Sequence, residues 1–428
     1  MRRSTLADFA AKALVLACVL NLNGVANMMF DVGQAVSLVM LAAPVVILTR
    51  YGNSKWSKPL VLLVATILSY LFLATLYGDP LAETHQPMKY YISFGGGLLI
   101  ILSVAIYTAA RPHGSPLDNW LAFLRNSLLV AAASVWASPI LYTFYVNAPP
   151  SSFNRMGGFF GNPNEAGIAS LLAVGMVLGF PFRWYWLQLS MLLLAAGAAV
   201  LTFSKTAMSG VIVVLTWHLL RQVEGFARIL LPLVALVAII IIQDFNAILS
   251  AIAESPLLDL DHSQKGRILA LADILTGKIN QETSTHRTLM WEFVLKRAWE
   301  DFPSGSGLGS AHHIAGFLME GDVWQGVHNT FLMLLGEAGP IPPLLLVAFL
   351  AILIRDTVRY QAGPVAMFCL FPLVLDFMAT HGALSTRYHN VMLGAVVGLV
   401  ANRRLREAPR RLMPKRPFRD YSRAGAYD

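Results

Sequence analysis

The stretch Pro59–Tyr77 reads PLVLLVATILSYLFLATLY, without one charged side chain. At about 1.5 Å of rise per residue, such a run crosses the roughly 30 Å hydrocarbon core of a bilayer as a single helix. In lipid the backbone must satisfy its own hydrogen bonds, so an isolated run of this kind has to be helical. Similar runs recur along the 428 residues, of which 56% are hydrophobic and 13% charged. Soluble domains carry about 25% charged residues, and the mean hydropathy here is +0.59. The alternating ten-residue pattern of a membrane β-barrel is absent. The sequence predicts an all-α, polytopic integral membrane protein.

Working outward from that stretch, twelve spans are expected: Ala13–Phe30, Gly33–Thr49, Pro59–Tyr77, Tyr90–Ala110, Asn126–Val146, Ala166–Phe182, Trp184–Phe203, Thr206–Leu220, Phe226–Gln243, Asn329–Ile354, Pro364–Thr380 and His389–Ala401. With the N-terminus inside, the cytoplasmic loops carry Arg50, Lys55 and Lys58; Arg111 and Arg125; Arg183; Arg221 and Arg228; and Arg355 and Arg359. The short outer loops carry Lys89, Arg155, Lys205 and Arg387. This is the positive-inside bias, and an even number of spans returns the basic C-terminal tail to the cytoplasm. The chain divides into nine helices (1–243), a large outer loop (244–327), three more helices (328–402) and a basic tail (403–428).

The net charge of +8 does not point to nucleic acid. Nine of the 32 Lys and Arg residues fall between Arg403 and Arg423, directly after the last span, where they suit the cytoplasmic face and anionic lipid. Cys18 and Cys369 lie apart in apolar runs, so neither a disulfide framework nor a metal site is indicated. The Arg2–Arg3 start reads as an uncleaved first helix, since Lys12 interrupts the apolar run that follows.

The outer loop is too long for an ordinary connection, which marks it as functional. It holds two amphipathic stretches, Arg267–Leu275 and Leu289–Trp299, which suit the membrane surface or a cap over a cavity. The second is ended by Pro303 and the glycines of Gly305–Gly309. Polar residues gather on the same outer side. Arg155, Asn162 and Asn164 sit in a Gly- and Asn-rich turn, with Asn164 the expected helix N-cap. Lys205 stands in a polar break between two spans, where a cation beside lipid needs an anionic partner or snorkels to the interface. Arg287 lies one helical turn before Trp291. Asp376 is set inside the eleventh span, with Lys205, Arg155 or Arg387 as its expected partner. Glu337, before Gly339–Pro340, is expected to face the interior at a kink in the tenth span. His328 stands beside Asn329 where the loop re-enters the membrane, and an imidazole there can serve as a general base. The glycines before it are expected to act as a hinge that brings Arg287 over the site. Cations and an imidazole on one face suit transfer from a diphosphate-linked donor, the cations stabilising the departing diphosphate.

The ordered motifs Arg155–Asn164, Phe203–Ser204–Lys205, Arg287–Trp291, Gly305–Gly309 and His328–Gly339 resemble the O-antigen ligase and polymerase superfamily. The resemblance implies a GT-C type membrane glycosyltransferase on the periplasmic side of a bacterial inner membrane, inverting and working without cofactor or metal. Its donor would be a glycan on undecaprenyl diphosphate. Its acceptor would be lipid A–core in a ligase, a lipid-linked glycan in an O-antigen or exopolysaccharide polymerase, or a protein hydroxyl in an O-oligosaccharyltransferase. By position, His328 would be the base and Arg287 the diphosphate contact, both catalytic. Arg155, Lys205, Asn162, Asn164, Asn329, Glu337 and Asp376 would bind substrate. Lys205 stands where the family usually has Arg, keeping the charge but losing the bidentate fork. The competing class is a transporter or flippase for a polyprenyl-linked glycan, although no internal repeat is visible.

Overall fold

A computed structural model of the chain describes residues 2–52, 56–77, 87–146, 155–222, 264–266, 268–269, 287–311, 313–319, 322–325, 327–380 and 382–412. Its first helices are Arg2–Val19 (α1), Leu22–Phe30 (α2), Gly33–Met40 (α3), Ala42–Tyr51 (α4), Lys58–Leu76 (α5), Pro87–Ala109 (α6), Ser115–Trp136 (α7) and Ser138–Leu141 (α8). Then come Pro163–Gly179 (α9), Tyr185–Leu201 (α10), Lys205–Gln222 (α11) and Arg287–Glu300 (α12). The last are Thr330–Ala338 (α13), Ile341–Arg359 (α14), Pro364–Ala379 (α15) and Arg387–Leu412 (α16). One addition to the helical plan is an antiparallel hairpin, His313–Met319 (β1) with Asp322–Gln325 (β2), inside the expected outer loop.

Four of the described helical segments are long and apolar enough to cross a membrane: Gly33–Tyr51, Lys58–Leu76, Tyr90–Ala109 and Ile341–Arg359. Two bent pairs raise the number to six if each is one span. These are Thr5–Val19 with Leu22–Phe30, bent by 57°, and Ser115–Trp136 with Ser138–Phe144, bent by 72°. Pro163–Gly179, Tyr185–Leu201 and Pro364–Ala379 are apolar but shorter. The chain is a multi-pass helical membrane protein. The expected span Phe226–Gln243 lies outside the described residues, as does most of the amphipathic stretch Arg267–Leu275.

Local sequence chemistry sets several helix ends. The Ser57 hydroxyl accepts from the Leu60 amide at the start of α5, with Pro59 in the first turn, a position where its missing N–H costs nothing. The expected tenth span is two helices. Gly339, at φ +75, ends α13, and α14 starts again at Ile341. Arg125, expected in a cytoplasmic loop, lies inside α7 with 6% exposure. Its guanidinium donates to the Phe180 carbonyl at 2.9 Å and lies 3.4 Å from the Phe182 ring centre, so the charge is satisfied at the end of α9. Helix α16 continues to Leu412, past the point where the basic tail was expected to begin.

Two close helix pairs order the bundle. An added Cβ at Gly394 would lie 2.8 Å from the Ile101 carbonyl oxygen, and one at Gly398 would lie 2.5 Å from that of Ala105. Small residues four apart allow two backbones this approach in a membrane. The register 101 with 394 and 105 with 398 makes α6 and α16 parallel. Gly175 faces Phe368 and Gly179 faces Val365, which makes α9 and α15 antiparallel. Asn402 then fastens the far end of the first pair, its amide donating to the carbonyls of Thr108, Ala109 and Arg111. With the Asp376–His389 contact joining the end of α15 to the start of α16, the two pairings place the first turns of α6, α9 and α16 and the last turn of α15 at one end of the bundle.

Candidate active site

At that end the returning loop is tied down by a single carboxylate. Glu337 has 0% exposure, as expected of an interior residue. Its Oε2 accepts from the Tyr70 hydroxyl at 2.6 Å, and its Oε1 from the Ala311 amide at 3.1 Å. The Ser306 and Gly307 amides donate to the carbonyls of Gly336 and Glu337. An added Cβ at Gly305 would lie 2.2 Å from the Glu337 carbonyl carbon. Gly305 therefore serves close backbone packing against α13. Both Glu337 oxygens have protein donors, so its visible part is to hold the loop.

His328 stands at the mouth of this arrangement, half-buried, with a left-handed backbone of φ +48. Such a conformation persists in a non-glycine residue when its surroundings fix it. Both neighbours are anchored here. Val327 donates its amide to the Ala311 carbonyl and accepts from the Trp291 indole N–H at 3.1 Å. Asn329 is the N-cap of α13, its side-chain oxygen accepting from the Leu332 amide at 3.1 Å. Helix α12, expected from Leu289–Trp299, is thereby joined to the residue before His328. Arg287 is its first residue; the side chain of Arg287 lies outside the described set.

Beyond Asn329 a polar chain runs inward. The Thr330 hydroxyl donates to the Thr380 carbonyl at 2.7 Å, and the Thr380 hydroxyl donates to Asp376 Oδ1 at 3.0 Å. Asp376 Oδ2 lies 2.7 Å from His389 Nδ1, with 1% and 0% exposure of the two side chains. Asp376 is thus paired with His389, not with Lys205, Arg155 or Arg387. Sequence reasoning passed over His389 because it opens an apolar run. A second ionisable residue thirteen positions after a membrane-embedded Asp was the available signal.

The Arg155 cluster forms another part of this end. Arg155 Nε donates to the Thr202 carbonyl and its Nη2 to Asn164 Oδ1, both at 2.9 Å. The N-cap of α9 is Asn162, which accepts from the Asn164 amide at 2.9 Å. Asn164, the expected cap, instead lies in the first turn and holds Arg155. Lys205 opens α11 three residues after Thr202. Arg155, Asn162, Asn164 and the Thr202–Lys205 turn are therefore one unit. Phe160 from the same stretch packs edge-on against Tyr388, their ring centres 5.4 Å apart, and so reaches the residue beside His389. Among the described residues no three His, Cys, Asp or Glu side chains gather as a metal-binding set.

Residues 190–348 match the family described as O-Antigen ligase. That segment is similar to the O-antigen ligase family. The matched segment begins within α10, ends within α14, and includes Lys205, Arg287, His328, Asn329 and Glu337. The Arg155 cluster and the Asp376–His389 pair lie outside the matched residues and reach them through the Arg155–Thr202 and Thr330–Thr380 hydrogen bonds. No curated protein matches the chain.

Proposed function

We propose that this protein is a metal-independent, inverting glycosyltransferase of the bacterial inner membrane. It moves a glycan from undecaprenyl diphosphate to an acceptor hydroxyl at the periplasmic face. The observation that carries the reading is the Trp291–Val327 hydrogen bond, which ties the helix opening with Arg287 to the neighbour of His328 inside the matched segment. The positive-inside charge pattern of the loops supports the periplasmic side.

In the proposed reaction, His328 takes the proton of the acceptor hydroxyl. The acceptor oxygen attacks the anomeric carbon from the face opposite the diphosphate. The carbon–oxygen bond to the diphosphate breaks, and the leaving group departs with the electron pair and its negative charge. Arg287 and Lys205 neutralise that charge, a task suited to fixed cations at a water-poor site. Arg155 holds the turn that presents Lys205, with Asn162 and Asn164 fixing Arg155. Asn329, as the cap of α13, sets the direction of His328, and the Asp376–His389 pair braces the helices behind it.

The test uses purified protein with a lipid-diphosphate glycan and, in parallel, lipid A–core, a lipid-linked glycan or a protein acceptor. The expected result is a new glycosidic bond to one of the three, lost in His328→Ala and in Arg287→Ala. Normal transfer by His328→Ala overturns the base assignment. Movement of the substrate across vesicles without a new bond replaces the enzyme with a transporter.

A further inference from the structure

Both sharp helix breaks in the bundle, the 57° bend between α1 and α2 and the 72° bend after α7, meet the same turn. That turn is Arg155–Phe160. At the first break, the Asn21 side-chain amide donates to the Phe159 carbonyl at 3.1 Å. Around the second, Ser134, Ser138, Tyr142 and Tyr145 follow one another at helical spacing, which sets four hydroxyls along one face. Ser134 Oγ accepts from the Phe159 amide at 3.1 Å, and Ser138 Oγ from the Gly158 amide at 2.9 Å. The Tyr142 hydroxyl accepts from the Gly157 amide at 2.6 Å and donates to the Arg155 carbonyl at 3.1 Å. The Tyr145 hydroxyl donates to the Gly158 carbonyl at 2.9 Å. The Val146 amide donates to the Met28 carbonyl and so joins the two broken helices to each other.

This grip has a fixed sense. Ser134 and Ser138 donate their protons to the Ala131 and Val135 carbonyls of their own helix, so towards the turn they can only accept. Gly158 is left-handed at φ +57, and a Cβ added there would collide with Ser134. Irregular backbone beside a membrane needs its polar groups satisfied by protein, and that alone would explain a clamp on the turn. The grip, however, does not end on backbone. Tyr142 holds the carbonyl of Arg155, while the guanidinium of the same residue donates to the fully buried Thr202 at 2.9 Å. Thr202 stands at the head of the turn that ends on Lys205.

We propose that Tyr142 is a positioning residue for transfer, acting through Arg155 to fix the Thr202–Lys205 turn against the leaving diphosphate. Ser134, Ser138 and Tyr145 serve the same clamp, and the breaks in the two helices exist to build it. Its effect falls on the chemical step, because a cation held in place helps most as charge develops on the leaving group. The catalytic consequence rests on the transfer reaction proposed above; the mechanical link from Tyr142 to Lys205 does not.

The experiment has two readouts on the full chain in phosphatidylcholine nanodiscs. In the first, Cys18→Ala, Cys369→Ala and Lys205→Cys leave one thiol for a nitroxide label, whose motion is read by electron paramagnetic resonance without substrate. Tyr142→Phe keeps the ring and removes both hydrogen bonds, and narrower lines from a more mobile label are the expected result. Thr143→Ala is the control, since that hydroxyl donates to the Ile140 carbonyl in its own turn; its spectrum should match the parent. Ser138→Ala, which removes the acceptor of the Gly158 amide, carries the test if Tyr142→Phe does not fold. An unchanged label overturns the link, as does equal loosening by Thr143→Ala. The second readout is transfer from an undecaprenyl-diphosphate glycan by protein that retains Lys205. Tyr142→Phe should lower kcat about tenfold, the worth of an ordinary hydrogen bond, with little change in KM. The loss should nearly vanish in a Lys205→Ala background. A loss confined to KM, or one that repeats in full without Lys205, overturns the positioning role. A mobile label in a protein whose native form makes no glycosidic bond keeps the link and removes the transfer reading. Normal transfer by Tyr142→Phe removes the catalytic role alone.

Discussion

Tyr70 and Glu337 stand 267 positions apart and share a hydrogen bond of 2.6 Å, with both side chains fully buried. That bond ties α5, in the first half of the chain, to the helix that follows His328. A buried carboxylate that loses a donor is costly because no water replaces it. Tyr70→Phe is therefore expected to destabilise the protein by about 1–3 kcal/mol, read as a lower unfolding temperature in detergent. Tyr70→Phe combined with Glu337→Ala should cost less than the sum of the two single changes, since both remove the same contact. Strict additivity would show that the bond does not join the two elements energetically.

The α6–α16 contact gives a prediction with its own control. Gly398→Leu places a side chain against the Ala105 carbonyl, where even a Cβ would lie at 2.5 Å. The helices must then separate, and the loss of monodisperse protein on size exclusion is the expected result. Gly95 lies on the same α6, with nothing within 4 Å of an added Cβ. Gly95→Ala should leave folding unchanged or improve it by up to about 1 kcal/mol, because Ala is the better helix former. Equal behaviour of the two variants would remove the close-approach account of this pair.

These residues also show what was legible in advance. The apolar runs gave the helices from Pro59–Tyr77 onward, because lipid leaves a single chain segment few other options. The ordered motifs around the outer loop gave the ligase resemblance, and the Leu289–Trp299 pattern gave α12. Pairing between helices was less visible. Gly394 and Gly398 are four apart, and so are Gly175 and Gly179, a spacing that signals close contact but does not name the partner helix. The Asp376–His389 pair was hidden for a related reason, since one residue sits on α15 and the other on α16. Asn164 was assigned the cap that Asn162 takes. Both amides can cap a helix, and only Pro163 in the first helical position, directly after Asn162, separates them.

The last prediction concerns how Trp291 reaches the chemistry. Its indole donates to Val327, next to His328, and it follows Arg287 by one turn of α12. If the bond acts by holding that helix over the site, Trp291→Phe keeps an aromatic ring there and removes the N–H that sets the alignment. Transfer is expected to fall about tenfold, the worth of one ordinary hydrogen bond expressed only in the aligned complex, with little change in unfolding temperature. Arg287→Ala should reduce transfer further, by removing a leaving-group contact. The decisive measurement is the double variant. Where Trp291 works through Arg287, Trp291→Phe adds almost nothing in the Arg287→Ala background, a coupling that a purely structural tryptophan would not produce. Independent, multiplying losses would instead assign Trp291 to the seating of His328 through Val327.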